Sequence, residues 1–242
     1  MLCGKLLTLT VTKYEIMRIK RLSLVTGAGE AEGLTVIIDV FRAFTTAAYV
    51  MANGALKIHP IESVEHAFQL KEENPEWVLM GERGGERIPG FDFGNSPQEV
   101  KDIDFTGKTV VQTTSAGTQG IHRAVMATEI MAGSFVMADA IVNYILNRRP
   151  EVVSLVAMGW GGRVQSIEDE SLAEYIELKL RGREPDFAEM KRLIRENPEG
   201  AKFFDDSQPN FVEGDFYCAM DLNRFSFCLR LSNSNLPFFE KV

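Results

Sequence analysis

The sequence contains little cysteine, little histidine and no long apolar run. Its three cysteines, Cys3, Cys218 and Cys228, are odd in number and lack metal-ligand spacing, which favours reduced thiols in a cytoplasmic protein over a disulfide framework. We interpret Cys218 and Cys228 as small core residues. The three histidines also lack metal-binding spacing. Because no apolar run reaches about 18 residues and no signal-peptide pattern is found, we expect no membrane span and no secretion.

Positive charge is also in short supply. The 242 residues include 26 Lys and Arg against 34 Asp and Glu, which gives a formal net charge of −8. Nucleic-acid binding usually requires a basic face, so we expect no nucleic-acid partner. A hydrophobic content of 45% and a charged content of 25% are typical of a globular protein. Because the sequence shows no repeat, no low-complexity tract and no linker, we expect a single domain over residues 1–242, in which residues 1–23 form an N-terminal extension of uncertain role.

Short β-branched runs alternate with segments of helical composition. This alternation predicts crossover connections and a mainly parallel or mixed central sheet, in an α/β fold with three α/β/α layers. Ser63 is expected to begin a helix, Ser96 with Pro97 and Glu99 forms a capping box, and Asp139 is expected to cap the helix that follows it. The strands are predicted at residues 34–40, 55–61, 77–82, 108–112, 129–138, 151–158 and 225–231.

Polar residues follow four of these strands. In open α/β sheets ligands bind beyond the carboxyl ends of the strands, so we expect the four clusters to share one rim. They are Asp39, Arg42, Thr45 and Thr46 after the first strand, Glu82, Arg83, Glu86 and Arg87 after the third, residues 113–118 after the fourth, and residues 160–169 after the sixth.

The first cluster admits two interpretations. Asp39 is either a ligand of a hard divalent cation, which prefers oxygen donors, or the N-cap of the helix beginning near Ala43, and the two roles are compatible. Arg42 falls in the first turn of that helix, where the helix dipole disfavours a cation. We therefore expect Arg42 to face an anion or a carboxylate, which its planar guanidinium suits.

The other clusters leave similar alternatives. The stretch TTSAGTQG, residues 113–120, is either an anion cradle of backbone N–H groups and hydroxyls or a well-capped helix start. It is not a P-loop, because no lysine follows Gly117. Glu168 and Asp169 either bind a metal or transfer protons, or they only complement the helix dipole. The glycine-rich loop 81–97 either folds over an anion that Arg83 meets or contains an internal Glu–Arg network.

Taken together, these motifs resemble the 2-phosphosulfolactate phosphatase (ComB) family, and Phe44 with the TTSAGT turn resembles its bacterial branch. The resemblance implies an α/β/α fold and Mg²⁺-dependent hydrolysis of (R)-2-phospho-3-sulfolactate, a small anionic phosphorylated sulfoacid. It covers the chain from about residue 24 to its end. The motifs that carry it are VIIDVFRAFTTA (36–47), GERGGERIPGFDFGNSP (81–97), TTSAGTQG (113–120), AGSFVMADAI (132–141) and VAMGWGGRVQSIEDE (156–170).

The resemblance and the residues together give a candidate site. The catalytic candidates are Asp39, Arg42, Glu82, Arg83, Glu168 and Asp169. The substrate-binding candidates are Thr45, Thr46, Asn95, Ser96, Thr113, Thr114, Ser115, Gly117 and Thr118. The Mg²⁺ candidates are Asp39, Glu82, Asp92 and Glu168. A non-catalytic phosphoester-binding protein and a metal-dependent lyase or transferase remain alternatives, and a homodimer is an assembly that the sequence leaves open.

Overall fold

The structure, a computed structural model, describes residues 17–242. The strands are β1 (Arg18–Ser23), β2 (Gly33–Ile38), β3 (Lys57–Pro60), β4 (Val78–Arg83), β5 (Glu86–Arg87), β6 (Thr109–Thr113), β7 (Ala127–Gly133), β8 (Val152–Ala157), β9 (Leu229–Leu231) and β10 (Phe239–Lys241). The helices are α1 (Leu24–Gly29), α2 (Ala43–Ala52), α3 (Val64–Glu73), α4 (Pro97–Val100), α5 (Gly117–Arg123), α6 (Ala138–Arg148), α7 (Ile167–Leu180), α8 (Phe187–Glu196), α9 (Pro198–Ala201) and α10 (Glu213–Ala219).

The strands form a mixed sheet in the order β1-β8-β2-β7-β9-β10-β3-β6-β4-β5. Two parallel blocks, β1-β8-β2-β7 and β3-β6-β4, are joined through the short antiparallel strands β9 and β10. This arrangement confirms the predicted α/β class with a mixed sheet. The parallel strands are connected through helices, as crossover connections require.

The centre of the sheet is buried on both faces. Every residue of β2 from Leu34 to Ile38 is at most 2% exposed. Successive side chains of a strand point to opposite faces, so both faces of β2 must be covered. Helix α7 contacts β8, β1 and β2, and helix α5 also contacts β2. The long apolar run that predicted this strand is therefore explained by its central position.

Two predicted helix starts are confirmed and one is wrong. Ser63 accepts a hydrogen bond from the His66 N–H, and Ser96 accepts one from the Glu99 N–H. Asp139 does not cap a helix, because a 3-10 turn over residues 135–137 runs directly into α6. The side chain of Asp139 instead accepts a hydrogen bond from the Tyr175 hydroxyl.

The N-terminal part of the chain also differs from expectation. Residues 18–23, which the sequence analysis placed in an extension of uncertain role, form the edge strand β1, parallel to β8. Residues 1–16, including Cys3, lie outside the described residues. Cys218 and Cys228 are buried and free, as expected of core thiols. At the other end of the chain, only residues 229–231 of the predicted strand 225–231 are extended.

Candidate active site

A cleft of about 650 Å³ opens where the loops after β2, β4, β6 and β8 meet. Its charged lining consists of four arginines and two carboxylates, so positive charge is in excess there although the chain as a whole is acidic. The loops of both parallel blocks contribute to it. The lining residues with polar or aromatic side chains are Asp39, Phe41, Arg42, Glu82, Arg83, Asn95, Ser115, Gln119, Arg123, Trp160, Arg163 and Phe211.

Asp39 is held at the bottom of this cleft by two backbone N–H groups. Its Oδ1 accepts from the Ala43 N–H at 3.2 Å and its Oδ2 from the Gly117 N–H at 2.8 Å. Burial, followed by the nearby charge of Glu82, raises the pKa of Asp39 to about 6. Gly117 is required for this contact, because a Cβ there would lie 2.9 Å from Asp39 Oδ2. The N-cap position of α2 is Arg42 and not Asp39, but the Asp39 carboxylate accepts from the first N–H of the helix and also lines the cleft, so its role as a metal ligand stays a prediction.

Glu82 links the glycine-rich loop to the turn after β6. Its Oε1 accepts from the Ser115 N–H at 2.6 Å, and its Oε2 accepts from the Gly85 N–H at 2.8 Å and the Ser115 hydroxyl at 3.1 Å. Together with the bond from Gly117 to Asp39, these contacts use N–H groups of the predicted anion cradle. The turn 113–118 therefore binds the protein's own carboxylates, which corrects the expectation of a free cradle.

Arg42 is buried beside a carboxylate that the sequence analysis did not identify. Its guanidinium donates to Asp215 Oδ2 at 2.9 Å, to the Asn210 carbonyl at 3.0 Å and to the Gly85 carbonyl at 2.8 Å. Asp215 is fully buried and its other oxygen accepts from the Ser96 hydroxyl. No local pattern around residue 215 marks this role, because its partner lies 173 residues away along the chain.

The loop after β4 is shaped by close packing and by Arg83. Gly85 has φ of +88°, and a Cβ there would lie 2.7 Å from the ring of Phe211, so a residue with a side chain would be strained and crowded. Arg83 donates to the carbonyl oxygens of Glu62 and Glu82. No ion pair joins a glutamate and an arginine within residues 81–97, so hydrogen bonds to backbone groups hold this loop in place of the Glu–Arg network that was one interpretation of the sequence, and the loop presents Arg83 to the cleft.

Asp169 and Glu168 lie beneath the cleft and do not line it. Asp169 accepts from the Val40 N–H and the Gly159 N–H, both at 2.8 Å, and so joins the loops after β2 and β8. Burial, then the charges of Glu168 and Asp39, raises the pKa of Asp169 well above its usual range. Glu168 Oε2 is buried and has no hydrogen-bond partner among residues 17–242. Burial raises the pKa of Glu168 to about 7.

The structure corrects two of the predicted Mg²⁺ ligands. Asp92 is exposed, accepts from the Leu79 N–H and pairs with Lys71 at 3.6 Å. Glu168 is buried outside the cleft lining. Neither residue is brought into the cleft with Asp39 and Glu82, because Asp92 turns towards solvent and Lys71, and Glu168 lies in the first turn of α7 beneath the cleft.

Most of the predicted hydroxyl ligands have structural contacts. Thr45 donates to the Val40 carbonyl, and Thr46 donates to the Arg42 carbonyl. Ser96 caps α4 and contacts Asp215, and the Thr114 and Thr118 hydroxyls bond to each other and to the turn backbone. Thr113 is fully buried, and its hydroxyl has no partner within the described part of the chain. Of the predicted substrate-binding residues, only Asn95 and Ser115 line the cleft.

The cleft also contains residues that the candidate list did not include. Gln119 and Arg123 lie one turn apart on α5 and so share one face of that helix. Arg163 and Trp160 come from the loop after β8, within the segment 160–169 that was expected at the rim, and Phe211 comes from the segment before α10. Gln119 and Arg123 follow the predicted turn four residues apart, so a shared place on one face of the helix could have been predicted from the sequence. The sequence offered no comparable signal for Phe211.

The donor set for a metal in this cleft is small. Among residues 17–242 no group of three or more His, Cys, Asp or Glu side chains is arranged to hold a metal ion. Mg²⁺ commonly uses one or two protein carboxylates and completes its shell with water and substrate phosphate. Asp39 and Glu82 fit that requirement, because the charge of Glu82 raises the pKa of Asp39 and a divalent cation would relieve this repulsion.

Fold and cleft define an α/β protein with a polar cleft in which arginines outnumber carboxylates. The family model described as 2-phosphosulpholactate phosphatase matches residues 21–209, and the chain belongs to this family. No helix among residues 17–242 is long and apolar enough to cross a membrane.

Three similar proteins carry the name "Probable 2-phosphosulfolactate phosphatase". The one from Carboxydothermus hydrogenoformans is 43% identical over 141 residues, which is 58% of each chain. The one from Thermotoga petrophila is 38% identical over 146 residues, 60% of this chain and 62% of the relative. The alignments thus span about three fifths of these two relatives. The Bacillus subtilis protein is 31% identical over 214 residues, 86% of this chain and 92% of the relative.

Proposed function

We propose that the chain is a Mg²⁺-dependent phosphomonoester hydrolase that converts (R)-2-phospho-3-sulfolactate and water to 3-sulfolactate and phosphate. The observation that carries the proposal is the cleft in which Asp39 and Glu82 are surrounded by four arginines. A phosphate ester with sulfonate and carboxylate arms carries about four negative charges near neutral pH. The excess of cations in the cleft complements that charge, and the family membership supports the same reaction class.

In this proposal the phosphoryl group lies between the two carboxylates and Arg42. Arg42 is held by Asp215 and two carbonyl oxygens, so its guanidinium is fixed before substrate arrives. A fixed cation beside a phosphoryl group stabilises the charge that develops in the transition state. Water attacks phosphorus, the ester P–O bond breaks with its electron pair on the leaving oxygen, and the proton released by water ends on that oxygen.

Asp39 and Glu82 would hold the Mg²⁺, which when bound neutralises phosphoryl oxygens and orients the attacking water. The chain prepares both carboxylates for this role. Backbone N–H groups fix Asp39 and Glu82 on one side and leave their remaining lone pairs for another partner. Asp169 holds the loops that follow β2 and β8, and we assign it a positioning role.

The test is Mg²⁺-dependent release of inorganic phosphate from (R)-2-phospho-3-sulfolactate by the whole chain. We expect Asp39→Asn and Glu82→Gln to lower the rate by at least about 100-fold, in variants whose circular dichroism matches the parent. The matched control is Asp92→Asn, a carboxylate of the same loop region that lies outside the cleft and whose rate is expected to stay near the parent's.

Three results would contradict the proposal. Near-parental rates in both cleft variants would remove these carboxylates from the reaction. A loss in Asp92→Asn as large as in Asp39→Asn would show that the cleft is not the site. Calorimetric binding of intact phosphosulfolactate without phosphate release, in the presence of Mg²⁺, would instead indicate a binding protein.

A further inference from the structure

The four arginines of the cleft fall into two groups. Arg42 and Arg83 are tied to carbonyl oxygens, and Arg42 also pairs with Asp215. Arg123 and Arg163 line the same cleft, are exposed, and make no side-chain hydrogen bond or ion pair with any residue of the chain between 17 and 242. The first pair is held in place by the protein itself, whereas the side-chain donors of the second pair are not used by any residue that the structure describes.

Arg123 and Arg163 belong to adjoining parts of the structure. Gly120 of α5 packs directly on Met158, since a Cβ at position 120 would lie 2.4 Å from the Met158 sulfur. The loop that carries Arg163 begins at the next residue, Gly159. We refer to Gln119, Arg123 and Arg163 as the arginine wall of the cleft. Arg123 comes from α5, and Arg163 comes from a turn that is closed by backbone hydrogen bonds between Trp160 and Val164.

Charge balance indicates what the wall binds. Arg42 forms an ion pair with Asp215 and Arg83 is bound by two carbonyl oxygens, so among the described residues Arg123 and Arg163 are the cleft arginines without a protein partner. A phosphoryl group on Mg²⁺ would already be neutralised at the carboxylate side of the cleft. The planar guanidinium fork matches the oxygens of a carboxylate or sulfonate group.

We propose that Arg123 and Arg163 bind a second acidic group of the substrate and make the cleft selective for phosphate esters with anionic arms over esters with neutral arms. This inference rests on the proposed phosphatase function and assigns part of its specificity to residues that take no part in the bond-breaking step. The ligand class is a small hydroxy acid, phosphorylated on its hydroxyl, with a carboxylate or sulfonate on a neighbouring carbon.

The experiment compares two secondary phosphate esters that differ in their arms. (R)-2-phospho-3-sulfolactate carries a carboxylate and a sulfonate, whereas glycerol 2-phosphate carries two neutral hydroxymethyl groups. We expect Arg123→Ala and Arg163→Ala each to lower kcat/KM for phosphosulfolactate by about tenfold or more, mainly through KM, and to change kcat/KM for glycerol 2-phosphate by less than about twofold. Lysine in either position is expected to restore part of the loss.

Arg183→Ala is the matched control. Arg183 is also exposed, also makes no side-chain hydrogen bond or ion pair in the part of the chain that the structure describes, and lies outside the cleft. Its removal is expected to leave both substrates unaffected. The inference would be overturned if the Arg123 and Arg163 variants lost activity equally on both substrates, or lost none on either. In both cases, phosphate release by the parent would still support the proposed function.

A parent protein that releases phosphate from neither ester would overturn the proposed function, and the arginine wall is then tested by binding alone. The probe is 3-sulfolactate, which carries both acidic groups and no phosphate, titrated by calorimetry. Binding by the parent that is weakened in Arg123→Ala and Arg163→Ala, and unchanged in Arg183→Ala, would support the acidic-group site. No binding, or equal binding by all variants, would reject it.

Discussion

We predict that Glu168→Gln stabilises the folded protein in a pH-dependent way, because the carboxyl of Glu168 is buried. Glu168 is 4% exposed, and its Oε2 has no hydrogen-bond partner among the described residues. Burial raises its pKa from the ordinary 4.5 to about 7. An ionised carboxylate in such a position is unfavourable, so the folded protein holds the proton that the unfolded chain releases.

The sign and size of the effect follow from this difference. Between pH 4.5 and 7 the folded state binds more protons than the unfolded state, so the free energy of unfolding of the parent falls as the pH rises. At about 1.4 kcal/mol per pH unit, the total fall is about 3 kcal/mol. Glutamine has no proton to lose, so the variant lacks this term. The variant-minus-parent difference should therefore rise by about 3 kcal/mol from pH 4 to pH 8.

Urea denaturation followed by circular dichroism at pH 4, 6 and 8 measures this difference. A constant offset from the buried amide does not affect the result, because only the change with pH is compared. Glu76→Gln, on an exposed glutamate without a side-chain partner among residues 17–242, is the control and should show no such change. A difference for Glu168→Gln that is flat across this range would show that the carboxyl is solvated or paired and would refute the reasoning.

Three further predictions concern the cleft itself. Asp215→Ala leaves Arg42 as an unpaired buried charge and should destabilise the fold by about 3–5 kcal/mol in urea denaturation. Gly117→Ala should lower phosphate release by about tenfold or more because its Cβ would press on Asp39, whereas Gly29→Ala, with nothing within 4 Å, should not. Protonation of Asp39 near pH 6 should inhibit phosphate release at lower pH, and rising Mg²⁺ should move this acidic limb of the rate profile downwards, since metal and proton compete.

Elements whose signal is local were predictable from the sequence. The buried run of β2, the Ser63 cap of α3 and the Ser96 cap of α4 each depend on neighbours within a few residues, and all three were confirmed. The edge strand β1 was missed. Its six residues, RIKRLS, include three charged side chains and no continuous apolar run, and its place in the sheet depends on pairing with β8, more than 100 residues later.

The candidate site was predicted best where side chains follow directly from strand ends. Asp39 and Glu82 met that condition and do line the cleft. Asp92 and Asp215 show why the rest failed. The glycine-rich loop turns Asp92 towards solvent and Lys71, and the partner of Arg42 comes from a helix near the C-terminus. Contacts of this kind depend on tertiary packing, which no spacing within a motif encodes.

The turn 113–118 shows how a correct local prediction led to a wrong assignment of ligand. Hydroxyls and N–H groups at a helix start do attract anions, as the pattern indicated. In this fold the anions are Asp39 and Glu82, supplied by the ends of β2 and β4. Because the turn is already occupied by negative charge, it has little capacity left for a phosphate. An anionic substrate must then be held by cations, either a metal on the two carboxylates or the arginines of the cleft. The glycine-rich loop therefore positions a carboxylate, Glu82, and an arginine, Arg83, at the cleft.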